Sequence, residues 1–105
     1  MLEYEETLRK KILERAVSVR WLGKIHRAVN APLFISELGN ALALQSRSNI
    51  GIVWYRTGKD VRVSLRGIGS ADVAKIAHRF GGGGHPHAAA FRLKNERGLP
   101  WKILP

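Results

Sequence analysis

Hydrophobic residues recur at spacings of three and four along the first part of the chain. The positions that repeat in this way between Glu3 and about Ala28 are Leu8, Ile12, Leu13, Ala16, Val17, Trp21, Leu22 and Ile25. This is the period of a helix with one apolar face. The pattern therefore predicts a long N-terminal helix, which Gly23 bends or ends.

A proline separates this segment from a second helical pattern. Pro32 breaks any helix in the stretch NAPLFIS and favours extended backbone before it, so residues 32–35 are a candidate for an additional strand. Ser36 stands where an N-cap is expected, directly before the helical stretch ELGNALALQS. The inner face of this second helix is predicted to contain Leu38, Ala41 and Leu42.

Two stretches in the middle of the chain have the pattern of strands. NIGIVWYR is apolar, β-branched and aromatic, and VRVSLR alternates between apolar and polar residues. The connecting stretch TGKD contains Gly58 and predicts an antiparallel hairpin. One face of the second strand carries Val61, Val63 and Leu65, and the other carries Arg62, Ser64 and Arg66. We expect the polar face to contact a binding partner.

The stretch GIGSADVAKIAHRF predicts a third helix. Ser70 is the expected N-cap, Asp72 lies in the first turn, and Gly81 suits a left-handed C-cap. Beyond the glycines, AAAFRL is expected to begin as a short helix and pass into a strand, and WKIL to form a final edge strand. The element order predicts an α/β fold, with a mixed sheet flanked by helices.

The length of 105 residues fits one compact domain. We divide it into an N-terminal helix or linker region, residues 1–30, and a principal part, residues 31–105. The absence of cysteine excludes disulfides and thiolate metal sites. No apolar run approaches the roughly 20 residues of a membrane helix, and the acidic start MLEYEE is unlike a signal peptide. We therefore expect a cytoplasmic protein without membrane contact.

Charge narrows the range of partners. The chain has 18 lysines and arginines against 8 aspartates and glutamates, and its net charge is +10. Four of the acidic residues lie within the first 14 positions, so the rest of the chain is strongly cationic. Such a balance is typical of proteins that meet phosphates, nucleic acid or an acidic partner. A solvated basic surface is the alternative.

The stretch RFGGGGHPHAAAF, residues 79–91, places four glycines before His85. Glycine leaves peptide N–H groups uncovered, so such a run can form a nest for an anion. A helix starting in HPHAAA, with Pro86 in its first turn, would add further N–H groups. A structural turn explains the glycines equally well, whereas a flexible linker conflicts with Phe80 and Phe91 on either side, which are expected in the core.

Two stretches, VSLRG and IAHRFGGGGHPHAAAF, resemble the DHH-associated domain that follows the catalytic domain of DHH-superfamily phosphoesterases. Relatives include RecJ-like nucleases, oligoribonucleases and adenosine bisphosphate phosphatases. The family pattern is a strand ending S-x-R-S, a helix, and then G-G-G-H-x-x-A-A-G. The matching residues are Ser64, Arg66, Gly82, Gly83, Gly84, His85, Ala88 and Ala89. Gly67 and Ala90 stand where the family has serine and glycine, and the match spans about residues 50–93.

This resemblance implies that residues 31–105 are a substrate-binding domain. The implied ligand is the phosphate of a nucleotide, of a short oligonucleotide or of polyphosphate. The residues implied to bind it are Ser64, Arg66, Gly82, Gly83, Gly84 and His85. The resemblance also implies a partner, a DHH catalytic domain upstream in the same or another chain, with Mn²⁺ or Mg²⁺ at its metal centre.

The chain itself lacks the residues for that chemistry. Its aspartates are Asp60 and Asp72, and it contains no D-H-H motif, so it cannot assemble a carboxylate-rich dinuclear site. His85 and His87 form an H-x-H pair, but no carboxylate is close to them in sequence. We therefore assign no catalytic residue, no metal ligand and no cofactor to this chain.

Two other functions stay open at this stage. The first is a stand-alone nucleic-acid-binding module, similar to the related C-terminal domain of alanyl-tRNA synthetases, for which a cationic body is suited. The second is a structural or homodimer-forming role, for which the three tryptophans could supply an interface.

Overall fold

The structure is a computed structural model that describes residues 2–105, with the side chains of Leu2 and Arg97 excepted. Three helices and seven strands make up the described fold. In chain order they are α1 (Leu2–Leu13), β1 (Val17–Trp21), β2 (Lys24–Asn30), α2 (Ile35–Gln45), β3 (Ile50–Thr57), β4 (Asp60–Gly67), α3 (Val73–Arg79), β5 (Gly83–His85), β6 (Ala88–Lys94) and β7 (Lys102–Ile103). A short 3₁₀ turn, Asn95–Arg97, lies between β6 and β7.

All seven strands belong to one mixed sheet with the order β5-β6-β4-β3-β2-β1-β7. β2 and β3 are parallel, and every other neighbouring pair is antiparallel. Parallel neighbours need a crossover, which α2 provides between β2 and β3. The predicted α/β domain with a mixed sheet flanked by helices is therefore confirmed.

The long N-terminal helix was a wrong prediction beyond Leu13. Residues 17–30 form the β1–β2 hairpin instead, and β2 pairs with β3 while β1 pairs with β7. Leu22 and Gly23 at the hairpin turn both have positive φ, 54° and 76°, as a tight primed turn requires. Val17, Ser18, Val19 and Arg20 also alternate with period two, and pairing with the sheet selected that period over the helical one.

The start of α2 was also predicted wrongly. The helix begins at Ile35 after Phe34, which caps it in a left-handed conformation with φ 55°. Ser36 therefore lies inside the helix, and residues 32–35 contain no strand. The Ser36 hydroxyl accepts a hydrogen bond from Arg66 rather than from its own helix backbone, so a tertiary contact replaced the expected cap.

The inner face of α2 agrees with the prediction for two of three positions. Leu38 and Leu42 are buried, as expected, whereas Ala41 is only partly buried and Ala43 is buried.

The hairpin of β3 and β4 is confirmed. Its strands extend further than the sequence indicated, so that only Gly58 and Lys59 form the turn between Thr57 and Asp60. Along β4 the apolar positions are fully buried and the polar positions are half-buried. The predicted alternation of the two faces is therefore also confirmed.

The third helix has a different N-cap from the expected one. Asp72, not Ser70, caps α3, and its carboxylate accepts hydrogen bonds from two backbone N–H groups of the first turn. At the other end Gly81 has φ 84° and donates to the carbonyl of His78, while Gly82 donates to that of Ala77. This confirms the left-handed C-cap at Gly81.

The stretch after the glycines is extended throughout. AAAFRL lies in β6, between β4 and β5, so the expected short helix at its start is wrong. Strand pairing on both sides satisfies the backbone groups that a helix would otherwise have bonded internally. β7 pairs with β1 at the far side of the sheet, which confirms the final edge strand.

The helices lie on opposite faces of the sheet. α3 packs on the face that carries Val61, Val63 and Phe91. α1 and α2 pack on the other face, where Leu38 and Val53 are buried. No helix in residues 2–105 is both long and apolar enough to cross a membrane.

Candidate phosphate-binding site

Arg66 and His85 lie on the same face of the sheet. Ala88 of β6 is paired with Arg66 in β4 and with His85 in β5. Residues paired directly across strands point to the same side, and neighbouring strands are about 4.8 Å apart. Arg66 and His85 are therefore about 10 Å apart at their backbones, with only the methyl group of Ala88 between them.

A second row of small residues continues this surface. Ser64, Ala90 and Gly83 are paired across β4, β6 and β5, two positions along from the first row, and so they point to the same side. The Ser64 and Ala90 side chains are half-buried, and Gly83 is exposed. The result is a floor with few atoms above the backbone, which leaves room for a ligand.

Two further arginines close the other end of the floor. Arg62 and Arg92 are paired across β4 and β6 in the next row. Arg92 forms an exposed salt bridge with Asp60 at 4.0 Å. We call this whole surface the open face, and its residues are Arg62, Ser64, Arg66, Gly83, His85, Ala88, Ala90 and Arg92.

A depression of about 290 Å³ lies at one end of the open face. It is lined by Arg62, Ala90 and Arg92 together with Phe80, Gly81, Gly82 and Phe91. Sequence reasoning did not select Arg92. This arginine follows Ala88 and Ala90 in the period-two pattern of the same strand, and that pattern could have identified it.

The Arg66 side chain is oriented by its surroundings. Its Nη2 donates to Ser36 Oγ at 3.1 Å, and its Nη1 donates to the Leu65 carbonyl at 3.1 Å. Among the described side chains, its guanidinium forms no salt bridge. A cation that is positioned but not neutralised can accept an anionic ligand.

Gly39 of α2 makes this position of Arg66 sterically feasible. A Cβ at Gly39 would collide with the Arg66 side chain, and one at Gly51 would collide with the backbone of α2. Two glycines thus let α2 lie directly on the sheet beside Arg66. Sequence reasoning assigned Ser36 only as an N-cap and did not select Gly39, although a glycine inside a helix costs about 1 kcal/mol and so indicated a close approach.

The four consecutive glycines have different roles. Gly81 ends α3 with its positive φ, and a Cβ at Gly82 or Gly84 would collide with the backbone of β6. A Cβ at Gly83 would meet nothing within 4 Å. Three of the glycines therefore have a structural reason, and Gly83 alone among them borders open space on the open face.

The glycines form no nest before a helix. Residues 83–85 are a short edge strand paired with β6, and HPHAAA is not helical. The expected contribution of helix N–H groups from HPHAAA was therefore wrong. What the structure brings together on one face is Ser64, Arg66, Gly83 and His85, with Gly82 and Gly84 on either side of Gly83.

The two histidines of the H-x-H pair differ in their contacts. His87 Nε2 lies 2.9 Å from the carbonyl oxygen of Gly69, and because a carbonyl only accepts, Nε2 carries the proton. His87 thus fastens the turn after β5 to the loop before α3. His85 is exposed, and its ring makes no hydrogen bond within residues 2–105. His85 is consequently the histidine that is available to a ligand.

No group of three or more histidines, aspartates and glutamates comes close enough to hold a metal ion within the described part of the chain. The H-x-H pair gains no carboxylate from tertiary folding there. The open face carries three arginines and His85, and such side chains can bind an anion by charge and hydrogen bonds.

The chain is similar to known proteins in both sequence and fold. The family model of the DHHA1 domain matches residues 30–100. Over 112 aligned residues the chain is 33% identical to the Uncharacterized protein R106 of Acanthamoeba polyphaga mimivirus, an alignment that covers 96% of this chain and 26% of that protein.

Two solved structures share the fold. An uncharacterized protein from Helicobacter pylori G27 has a TM-score of 0.56 and 26% identity, over 86% of this chain and 25% of that one. The pGpG-specific phosphodiesterase PggH from Vibrio cholerae has a TM-score of 0.60 and 17% identity, over 90% of this chain and 35% of that one. The chain thus spans about a quarter to a third of the length of these three proteins.

The family match includes β4, the glycines, His85 and β6, which are the elements that build the open face. It covers more than half of the 105 residues, and on this ground the chain belongs to the DHHA1 domain family.

Proposed function

We propose that this domain binds a phosphate of a nucleotide or short oligonucleotide on its open face and presents it to a DHH catalytic domain. The observation that carries the proposal is the row Arg66–Ala88–His85, in which two hydrogen-bond donors project from the same side of the sheet with only a methyl group between them. PggH, which shares the fold, is a pGpG-specific phosphodiesterase, and a small phosphorylated ligand of that class suits a surface of this size.

Each residue of the open face has a separate part in this proposal. The planar guanidinium of Arg66, oriented by Ser36, donates two hydrogen bonds to phosphate oxygens. His85 donates from its ring on the other side of the phosphate. Gly83 and the small floor let the phosphate approach the sheet, and the Ser64 hydroxyl supplies a further donor.

The hydrolysis itself is assigned to the partner domain. Cleavage of a phosphoester in this superfamily needs a metal-activated water, and the carboxylates that hold such metals are absent from this sequence. The DHH domain, encoded upstream in the same chain or in another, would hold Mn²⁺ or Mg²⁺. Residues of the DHHA1 domain bind and orient the substrate.

A stand-alone nucleic-acid-binding module is the second candidate. The net charge of +10 favours it, because many cations can neutralise many phosphates. The two candidates differ in salt dependence, which is steep for a long nucleic acid and shallow for a ligand with one or two phosphates. Polyphosphate is another ligand to distinguish, because it carries phosphate groups without a base. Competition between polyphosphate and a dinucleotide for the open face shows which of the two ligands the domain prefers.

The test is titration of the ¹⁵N-labelled chain with a 5′-phosphorylated dinucleotide. We expect amide shifts at Gly83, His85 and Ala88, and we expect Arg66→Ala and His85→Ala each to weaken binding about tenfold or more, the effect of removing a charge-assisted hydrogen bond. Arg15→Ala, which removes an exposed cation near the end of α1, is the matched control.

Binding should be unchanged in the control. If the dinucleotide shifts no amide of the open face, or if the control weakens binding as much as Arg66→Ala does, the proposal is wrong.

A further inference from the structure

Three cationic side chains outside the open face line one depression. Arg20 comes from β1, Lys24 from the start of β2 just after the hairpin turn, and Arg47 from the loop after α2. The depression has a volume of about 450 Å³, and its other polar lining residues are Ser48, Asn49 and Ser70. We call it the basic depression.

The charges in the basic depression are not balanced by the protein. Arg20, Lys24 and Arg47 are all exposed, and none forms a salt bridge with a described carboxylate. No lining residue is acidic. Like charges repel when they share one depression, and a bound anion would remove this repulsion.

The C-terminus of α2 explains only part of this cluster. The carbonyl end of a helix attracts a cation, which accounts for Arg47, the residue after the C-cap Ser46 of α2. Arg20 and Lys24 belong to the β1–β2 hairpin and gain nothing comparable from α2. Their convergence on the same depression therefore needs another reason.

The loop beneath the basic depression is held in place by hydrogen bonds. Ser48 Oγ accepts from the Ile50 N–H at 3.2 Å and lies 2.6 Å from Nδ1 of the buried His26. Asn49 has φ 64°, and its carbonyl accepts from the Ile68 N–H at 3.0 Å. The depression is thus formed before any ligand binds.

The basic depression and the Arg66 site lie at opposite ends of α2. Arg66 bonds to Ser36 in the first turn of the helix, and Arg47 follows its C-terminus. A helix of 11 residues is about 16 Å long. Because the phosphates of one helical DNA strand recur every ~3.4 Å along the axis, this separation corresponds to about five nucleotides, or to fewer in an extended strand.

We propose that the basic depression binds the sugar-phosphate backbone of a single-stranded oligonucleotide whose terminal phosphate lies at Arg66 and His85. This inference rests on the proposed function and narrows its substrate class to strands of several nucleotides. A dinucleotide bound at Arg66 would be too short to reach Arg20, Lys24 or Arg47.

The test compares the triple variant Arg20→Gln, Lys24→Gln, Arg47→Gln with the wild-type chain, using a 5′-phosphorylated single-stranded octanucleotide and the corresponding dinucleotide. Fluorescence anisotropy gives the affinity at several salt concentrations. The log–log salt slope for the octanucleotide should fall in magnitude by about 2, since each cation contributes about 0.7 on a single strand. The affinity for the dinucleotide should stay within about twofold of wild type.

The matched control is the triple variant Lys10→Gln, Lys11→Gln, Lys59→Gln, which removes three exposed cations outside the open face and the basic depression. Its octanucleotide slope should equal that of the wild-type chain. If both triple variants lower the slope equally, or neither does, the inference is overturned. If dinucleotide binding is absent or insensitive to Arg66→Ala, the proposed function fails instead, and the octanucleotide slopes still report on the basic depression.

Discussion

His26 is the buried histidine of the fold, and its protonation state follows from its two contacts. Its Nε2 lies 3.0 Å from the carbonyl oxygen of Trp21, which can only accept, so Nε2 carries the proton. Nδ1 then accepts from the hydroxyl of Ser48. Burial lowers the pKa of His26 below its usual 6.5, against the opposing effect of the Trp21 hydrogen bond, and the nearby charge of Lys24 lowers it further.

The lowered pKa of His26 predicts a loss of stability in acid. At pH values between the pKa of His26 in the folded chain and 6.5, the unfolded chain binds the proton more readily than the folded chain does. The contribution of neutral His26 to the free energy of unfolding is therefore complete above pH 6.5 and is lost as the pH falls through the pKa of the folded state. Urea unfolding at neutral pH and near pH 5 measures it. His26→Gln should reduce the difference between the two conditions.

The exposed His78 provides the control for this measurement. His78→Gln should retain the pH dependence of the wild-type chain. A His26→Gln variant that loses as much stability in acid as the wild type would show that another group causes the effect.

At the scale of elements, two neighbouring glycines, Gly82 before β5 and Gly83 at its start, differ in their surroundings. A methyl group at Gly82 would collide with the carbonyl oxygen of Ala90 and with Phe91. A methyl group at Gly83 would point into open space. The same substitution therefore tests stability at one position and ligand access at the next.

We expect Gly82→Ala to destabilise the fold by about 1–3 kcal/mol, the usual range for forcing an extra carbon into a packed site. Gly83→Ala should change the free energy of unfolding by no more than about 0.5 kcal/mol, as for an ordinary surface substitution. It should nevertheless weaken dinucleotide binding, because its methyl group occupies the floor of the open face. Urea unfolding and the amide titration measure the two effects.

Wild-type affinity in the Gly83→Ala variant would mean that the phosphate does not approach the sheet at this glycine. Equal stability of the two variants would contradict the close approach of β6 to Gly82.

At the scale of the whole molecule, two separate surfaces each carry three cationic side chains. The open face carries Arg62, Arg66 and Arg92 on β4 and β6, and the basic depression lies beyond the other end of α2. The face of the sheet opposite the open face is occupied by α3 and the aromatic core. The phosphorylated ligand that we propose would therefore bind on the α2 side of the sheet.

We expect the 105-residue chain to bind a 5′-phosphorylated dinucleotide without hydrolysing it, even with Mn²⁺ in excess. The physical reason is that no cluster of three or more metal-binding side chains occurs in residues 2–105. Chromatography of the nucleotide after prolonged incubation checks this, with Mn²⁺ alone as the blank. Hydrolysis above the blank that disappears in the His85→Ala variant would contradict the division of labour proposed here.

The sequence predicted those elements whose signal is local. The β3–β4 hairpin and the two faces of β4 follow from alternation over neighbouring residues, and the end of α3 at Gly81 follows from one residue's freedom to adopt positive φ. The family motif likewise indicated Arg66 and His85 before their geometry was known. Such features depend on contacts within a few positions along the chain.

Tertiary structure decided the rest, because the competing local signals were nearly balanced. Residues 17–30 carry both a helical and a period-two pattern, and pairing with β3 and β7 made them strands. The row that joins Arg66 to His85 depends on the register of three strands, which no local pattern determines. The sequence alone therefore predicted Arg66 and His85 as phosphate ligands, and strand pairing decided that they lie on one side of the sheet, with Ala88 between them.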